Sequence, residues 1–182
     1  MESVMEFQEF GKIARLTREC TITEKIDGTN GSVFIGENGE FLIGSRTRWI
    51  TPEMDNHGFA RWCMEHKEEL FKLGIGHHFG EWWGSGIQRG YGLTEKRWSL
   101  FNTKKWANNP ELPPCCHVVP ILFEGMFDSI AVESCINKLA VEGSVASPNF
   151  RNPEGVVIWH KAAQIYFKKT IEKDDEYKGK SK

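Results

Sequence analysis

Long apolar runs are missing from this 182-residue sequence. None reaches the roughly 18–20 residues of a helical membrane span. The N-terminus, MESVMEFQEF, is acidic and carries no hydrophobic signal core. These absences predict a soluble, cytoplasmic protein. Repeated CxxC spacing is also absent, and the five cysteines are odd in number, which excludes a disulfide framework and a zinc ribbon. Neither sign of charge dominates, with 23 basic against 25 acidic side chains and a net charge of −2. That balance argues against a protein that holds nucleic acid mainly by bulk electrostatics. There are no internal repeats and no low-complexity blocks. What is present is core material: 40% apolar and 12% aromatic residues, with seven Trp and twelve Phe, enough for one domain.

Patterning predicts a mixture of strands and two helices. Strands are expected at 20–26, where Thr21 and Thr23 alternate with apolar residues, and at 77–83, 97–102, 118–124, 155–160 and 164–170. Ser32–Gly36 and Phe41–Ser45 flank an Asn38-Gly39 pair that supplies the positive φ of a hairpin turn. One helix is expected over 55–74, with Asp55 or Asn56 capping it and Gly74 ending it. A second is expected over 129–142, with Ile130, Val132, Ile136 and Leu139 inward and Gly143 closing it. Strands and helices do not alternate regularly, so the fold class is α+β, with antiparallel sheets flanked by helices.

The stretch richest in chemistry is Glu24-Lys25-Ile26-Asp27-Gly28-Thr29-Asn30. A strand end fixes the backbone of Lys25, and Gly28 lets the chain turn sharply beneath a ligand. A nucleophilic lysine must shed its proton, which burial or neighbouring cations promote. On its own the segment is equally a surface Lys-Asp pair leading into a turn.

Four further segments follow in order: GSRTRWI with Arg46, FGEWWGSGIQ with Glu81, PEGVVIW with Glu154, and IYFKKT with Lys168. Together with EKIDGTN they resemble the ATP-dependent polynucleotide ligases of the covalent nucleotidyltransferase superfamily. The similarity is greatest to the branch of phage RNA ligases and RNA-editing ligases. Asn30 stands where DNA ligases commonly place Arg, which favours that RNA-ligase branch.

The resemblance implies a nucleotidyltransferase (adenylation) domain over 1–171 with ATP in the groove between sheets. It also implies a charged tail over 172–182 and no C-terminal OB or helical accessory domain. Lys25 is expected to attack the α-phosphate of ATP. AMP then passes to a 5′-phosphate, and a 3′-OH displaces it, sealing RNA or DNA ends or nicks in duplexes, including RNA–DNA junctions. Lys168 would contact the α-phosphate, Glu154 would hold Mg²⁺ or Mn²⁺ directly or through water, and Glu81 would accept from a ribose hydroxyl. Arg46 would hold the sugar-phosphate side, Asn30 the donor 5′-phosphate, and Glu24 and Phe101 the adenine, while Asp27 would assist sealing. A monomer of phage-like origin is implied, with a nucleic-acid partner and no membrane.

Two features depart from the family pattern. The usual Lys-x-Lys ending is Lys168-Lys169-Thr170 here, so Lys169 or Lys161 would have to stand in for a second lysine. With no clamp domain expected after the last motif, the grip on nucleic acid is expected to be weak and salt-sensitive. Seven lysines against four acidic residues over 161–182 give that stretch a local charge of +3. Cys115-Cys116-His117 and His77-His78 are not promoted to metal sites, because adjacent ligands rarely reach one tetrahedral ion. Of Trp82 and Trp83, one is expected in the core and one beside the groove. The rival functions are a stand-alone adenylyltransferase or capping-type guanylyltransferase, and a non-catalytic nucleic-acid-binding module. An intact Lys25, Glu81, Glu154 and Lys168 set argues against the last.

Overall fold

The computed structural model describes residues 5–175. The strands are β1 (Glu19–Lys25), β2 (Thr29–Ile35), β3 (Phe41–Gly44), β4 (Trp49–Ile50), β5 (Gly76–Gly84), β6 (Lys96–Leu100), β7 (Cys116–Val118), β8 (Ile121–Met126), β9 (Gly155–His160) and β10 (Ile165–Thr170). The helices are α1 (Phe59–Glu65), α2 (Lys67–Leu70), α3 (Thr103–Trp106) and α4 (Ser129–Glu142). Two sheets result, a four-stranded one in the order β10-β9-β1-β8 and a six-stranded one in the order β4-β3-β2-β5-β6-β7. The α+β class holds. Antiparallel pairing holds everywhere except β6–β7, which is parallel. The crossover that such a pair needs is residues 101–115, which include α3.

The chain passes between the sheets at 26–28 and again at 119–120. The second passage splits the strand expected over 118–124. Pro120 has no N–H for a ladder, and its carbonyl instead accepts from Glu24 N–H at 3.0 Å. Ile26, Trp83, Tyr91 and Val119 form a buried cluster at these passages and join the two sheets. Each sheet has its own core besides. Cys20, Ile22, Val156 and Ile158 pack against α4, and Val33, Trp82, Trp98 and Leu100 pack against α1 through Phe59.

Helix α4 matches expectation closely. The Asp128 carboxylate accepts from Ile130 N–H at 2.9 Å, and Gly143, at φ 89°, turns the chain out after donating to the Leu139 carbonyl. Its inward set is Val132, Cys135, Ile136 and Leu139; Ile130 is exposed. The helix expected over 55–74 is instead α1, α2 and a 3₁₀ turn over Phe71–Leu73, interrupted at His66. Asp55 does cap the start, accepting from Ala60 N–H at 2.7 Å and Arg61 N–H at 3.0 Å. In the β2–β3 turn only Gly39 takes positive φ, because the loop has five residues rather than two. No helix among the described residues is long and apolar enough to cross a membrane. Of the charged tail, residues 176–182 lie outside the described residues, and so do Lys178, Lys180 and Lys182 of the basic stretch.

Candidate active site

Successive side chains of a strand point to opposite faces, so register decides which residues meet. Lys25 lies opposite Gly155, which lies opposite Thr170; Thr23 lies opposite Val157, which lies opposite Lys168. Lys25 and Lys168 therefore share the face turned away from α4, whereas Glu24 and Lys169 occupy the α4 face. Gly155 is needed where it stands. A Cβ there would collide with the Lys169 carbonyl oxygen, and its φ of 157° disfavours other residues. Just before it, Glu154 turns its carboxylate to Lys25, whose Nζ donates to Oε2 at 2.7 Å. The two side chains are 23% and 13% exposed, so the pair is sheltered yet open to a ligand.

The six-stranded sheet supplies the facing groups. Asn30 in β2 lies opposite Glu81 in β5, and Asn30 Nδ2 donates to Glu81 Oε2 at 3.1 Å. Glu81 Oε1 accepts from Gly28 N–H at 3.0 Å. Gly28 has to be a glycine, since a Cβ would run into the Trp82 carbonyl oxygen and the Trp83 side chain. Burial pushes the Glu81 carboxyl up to about 7, against the pull of the Lys25 charge and these two hydrogen bonds. At neutral pH this group sits near the midpoint of its titration.

Between the sheets, Asp27 is held from two sides. Its N–H donates to the Tyr91 hydroxyl at 2.9 Å, and its carboxylate accepts from Arg89 Nε at 3.0 Å. Burial raises the Tyr91 hydroxyl well above the ordinary phenol range, so it stays neutral. Arg89 also donates to the Asn152 carbonyl at 3.0 Å, two residues before Glu154. One guanidinium thus ties the turn after Lys25 to the segment that carries its partner carboxylate.

The remaining predicted residues divide. Lys168 is exposed on the Lys25 face. Phe101, one residue beyond β6, is half-buried against the Trp83 cluster. Arg46 is exposed in the β3–β4 turn, away from any polar partner among the described residues. The Glu24 carboxylate, expected at the adenine, is turned to the α4 side and held by the 144–146 turn. It is 1% exposed and accepts from Ser144 Oγ at 2.6 Å and from Val145 and Ala146 N–H, each at 2.8 Å. Burial raises its carboxyl above the usual range, and those three donors oppose the rise. Lys169 and Lys161 do not reach the Lys25 face as substitutes. Lys169 pairs with Asp174 at 3.2 Å and Glu133 at 3.5 Å on the α4 side, and Lys161 pairs with Glu19 at the far end of β1. Trp82 and Trp83 are both buried; Trp82 floors a depression on the α1 side with His57 and Lys96, and Trp83 Nε1 donates to Ser99 Oγ at 2.9 Å.

The family model described as RNA ligase matches residues 18–173. The chain belongs to the RNA ligase family. Its fold matches solved RNA ligases from Naegleria gruberi. One, a point mutant with ATP and Mn, has a TM-score of 0.66 and 19% identity, covering 88% of this chain and 53% of that one. Another, with PPi, has a TM-score of 0.63 and 18% identity, covering 85% and 50%. The chain therefore spans about half the length of these ligases. No curated protein matches it.

Two groups of this RNA ligase family chain escaped sequence reasoning. Arg89 and Tyr91 follow the Gly86-Ile87-Gln88 run, and the one available signal was the glycine density of 84–92, which marks a loop of unusual φ rather than a contact to Asp27. The Ser144–Ala146 turn that receives Glu24 had no signal at all. Among the described residues, His66, Glu69 and Cys115 bring three metal-type donors within 4.8 Å of one another. His66 stands at the α1–α2 junction, Glu69 in α2 and Cys115 in the loop before β7, outside the Lys25 site. Nearby His117 belongs to β7 and is no part of that group.

Proposed function

We propose that this chain is the nucleotidyltransferase part of an ATP-dependent RNA ligase that joins a 5′-phosphate to a 3′-OH through a lysyl-AMP intermediate. The observation that carries the reading is the Lys25–Glu154 contact at 2.7 Å, on a sheet face shared with Lys168 and facing Glu81 and Asn30. In the first step, Lys25 Nζ forms a bond to the α-phosphorus as the bond to pyrophosphate breaks. Its proton must leave before that attack, and the carboxylate in direct contact is Glu154. Lys168 offsets charge on the α-phosphate oxygens. Ionised Glu81 orients a ribose hydroxyl, and Phe101 offers a ring face to the purine from its seat on the Trp83 cluster. Asp27, steadied by Arg89, is placed to act on the sealing hydroxyl.

A divalent cation fits the donor chemistry, because Glu154 offers a partly open carboxylate oxygen in the groove. When bound, such an ion supplies charge neutralisation for phosphoryl transfer. The N. gruberi structures with ATP and Mn support the same assignment of ligands to this fold.

The test is incubation with α-labelled ATP or GTP and Mg²⁺ or Mn²⁺. A covalent adduct is expected with ATP, survives denaturing electrophoresis, and is chased into product by 5′-phosphorylated RNA. A chase series of single strands and of nicked RNA, DNA and mixed duplexes assigns the substrate. Absence of any adduct from well-folded protein would sink the proposal, and labelling by GTP alone would mean a capping-type enzyme.

A further inference from the structure

The face of the six-stranded sheet that carries Asn30 and Glu81 continues outward as a row of exposed rings. Along β5, residues 77, 79 and 81 share that face, about 7 Å apart from one to the next. Phe79 is 55% exposed and lies opposite Ser32, while His77 is exposed and lies opposite Phe34. Trp49, 53% exposed, enters from β4. Its partner in the ladder is Gly44, where the absence of a side chain leaves room for the indole to lie against the sheet. The three outer rings are close to parallel. Trp49 and His77 are 5.8 Å apart at 11°, and His77 and Phe79 are 5.4 Å apart at 26°. Arg46 and Arg48, both exposed, stand in the turn that leads directly into Trp49.

We propose that Trp49, His77 and Phe79 form a stacking platform for unpaired bases of the RNA strand that leads into the active site. The proposal rests on the ligase reading above and deepens it by naming how the strand is held. Three observations favour this occupant over a protein partner. The row runs without interruption into Glu81, so whatever lies on it enters the Lys25 groove. Its rings are exposed and close to parallel, an arrangement that a base can extend by stacking and an aliphatic side chain cannot. Two guanidinium groups border it, as a phosphate backbone requires and an apolar protein face does not. Stacking is tolerant of sequence because every base has a π-face, so grip on single strands follows without a strongly basic chain. A net charge of −2 is then compatible with RNA binding.

The experiment measures binding of a labelled, 5′-phosphorylated single-stranded RNA by anisotropy, with ATP absent, and separately measures adenylate transfer to the protein. Trp49→Ala and Phe79→Ala should each weaken single-strand binding by about tenfold, within the range for loss of one stacked base. Trp49→Phe should restore most of the affinity, and Trp49 fluorescence should be quenched by RNA. A fully paired duplex should be little affected by either change, and adduct formation should be unchanged. If wild type forms an adduct but the alanine variants bind single strands as wild type does, the platform is wrong and the ligase reading stands. Equal loss on single strands and duplex also overturns it, because a stacked base must be unpaired. If wild type forms no adduct, the ligase reading fails, and RNA binding lost on Trp49→Ala still supports the platform.

Discussion

The two sheets contribute different chemistry to one groove. The four-stranded sheet brings the charged side chains Lys25, Glu154 and Lys168, on a face whose reverse is sealed by a single helix. The six-stranded sheet brings a neutral-to-acidic rim, Asn30 and Glu81, and a row of rings, backed by a core of Trp82, Trp98 and Phe59. The difference teaches where precision is needed. On the proposed reading the attacking nitrogen is that of Lys25, at the end of β1, a central strand paired with both β8 and β9. The groups proposed to hold a nucleoside or a base stand on an open sheet face, where a ring tolerates a shift better than a nucleophile does.

Breaking the first sheet should have the largest effect. Lys25→Ala is expected to abolish the nucleotide adduct outright, read by label incorporation, while RNA binding persists. Glu24→Ala should follow in size, this time in stability. It leaves the Ser144 hydroxyl and the Val145 and Ala146 N–H groups without their acceptor in a buried setting. A cost on the order of 3 kcal/mol is expected, read by denaturant unfolding, with Glu24→Gln recovering part of it.

Both effects trace to contacts of unequal legibility. The ends of α4 could be read from Asp128 and Gly143, and the split at Pro120 has a plain cause in a missing N–H. The interruption at His66 could not be read, since no glycine or proline marks it and the apolar spacing of Phe59, Cys63 and Leu70 continues through it. Within the site, the ordered motifs brought Lys25 and Glu154 into one expectation, and their contact spans 129 residues. The Glu24–Ser144 and Asp27–Arg89 contacts have no periodic trace, because they depend on how the two sheets are joined. The contacts of Glu24 were hidden for that reason: its position beside Lys25 was visible, but its side of the strand was not.

The second sheet should answer to pH. The Glu81 carboxyl is raised from the ordinary carboxylate value to about 7 in the folded chain, so the folded state holds a proton that the unfolded chain releases near pH 4.5. Stability should therefore fall as pH rises from about 4.5 to about 7, by an amount on the order of 3 kcal/mol. Glu81→Gln should flatten that slope in unfolding curves across the window, whereas an unchanged slope would mean that burial is not what governs this carboxyl.

Smaller effects should come from the joint between the sheets. Arg89→Lys keeps the charge and loses the fork that reaches both Asp27 and the Asn152 carbonyl. A drop of about tenfold in sealing rate is expected, with adduct formation less affected. Lys169→Ala should be the mildest change. Its ion pairs with Asp174 and Glu133 are exposed and lie on the α4 side, so adduct formation should stay at the level of the unaltered chain.

On the proposed mechanism Lys25, and no other lysine, carries the nucleotide. The most direct measurement is peptide mapping of the ATP-labelled protein by mass spectrometry. AMP is predicted on the peptide containing Lys25, with none on the peptides containing Lys161, Lys168 or Lys169. AMP on any other residue, with Lys25 unmodified, would contradict the assignment of Lys25 as the nucleophile.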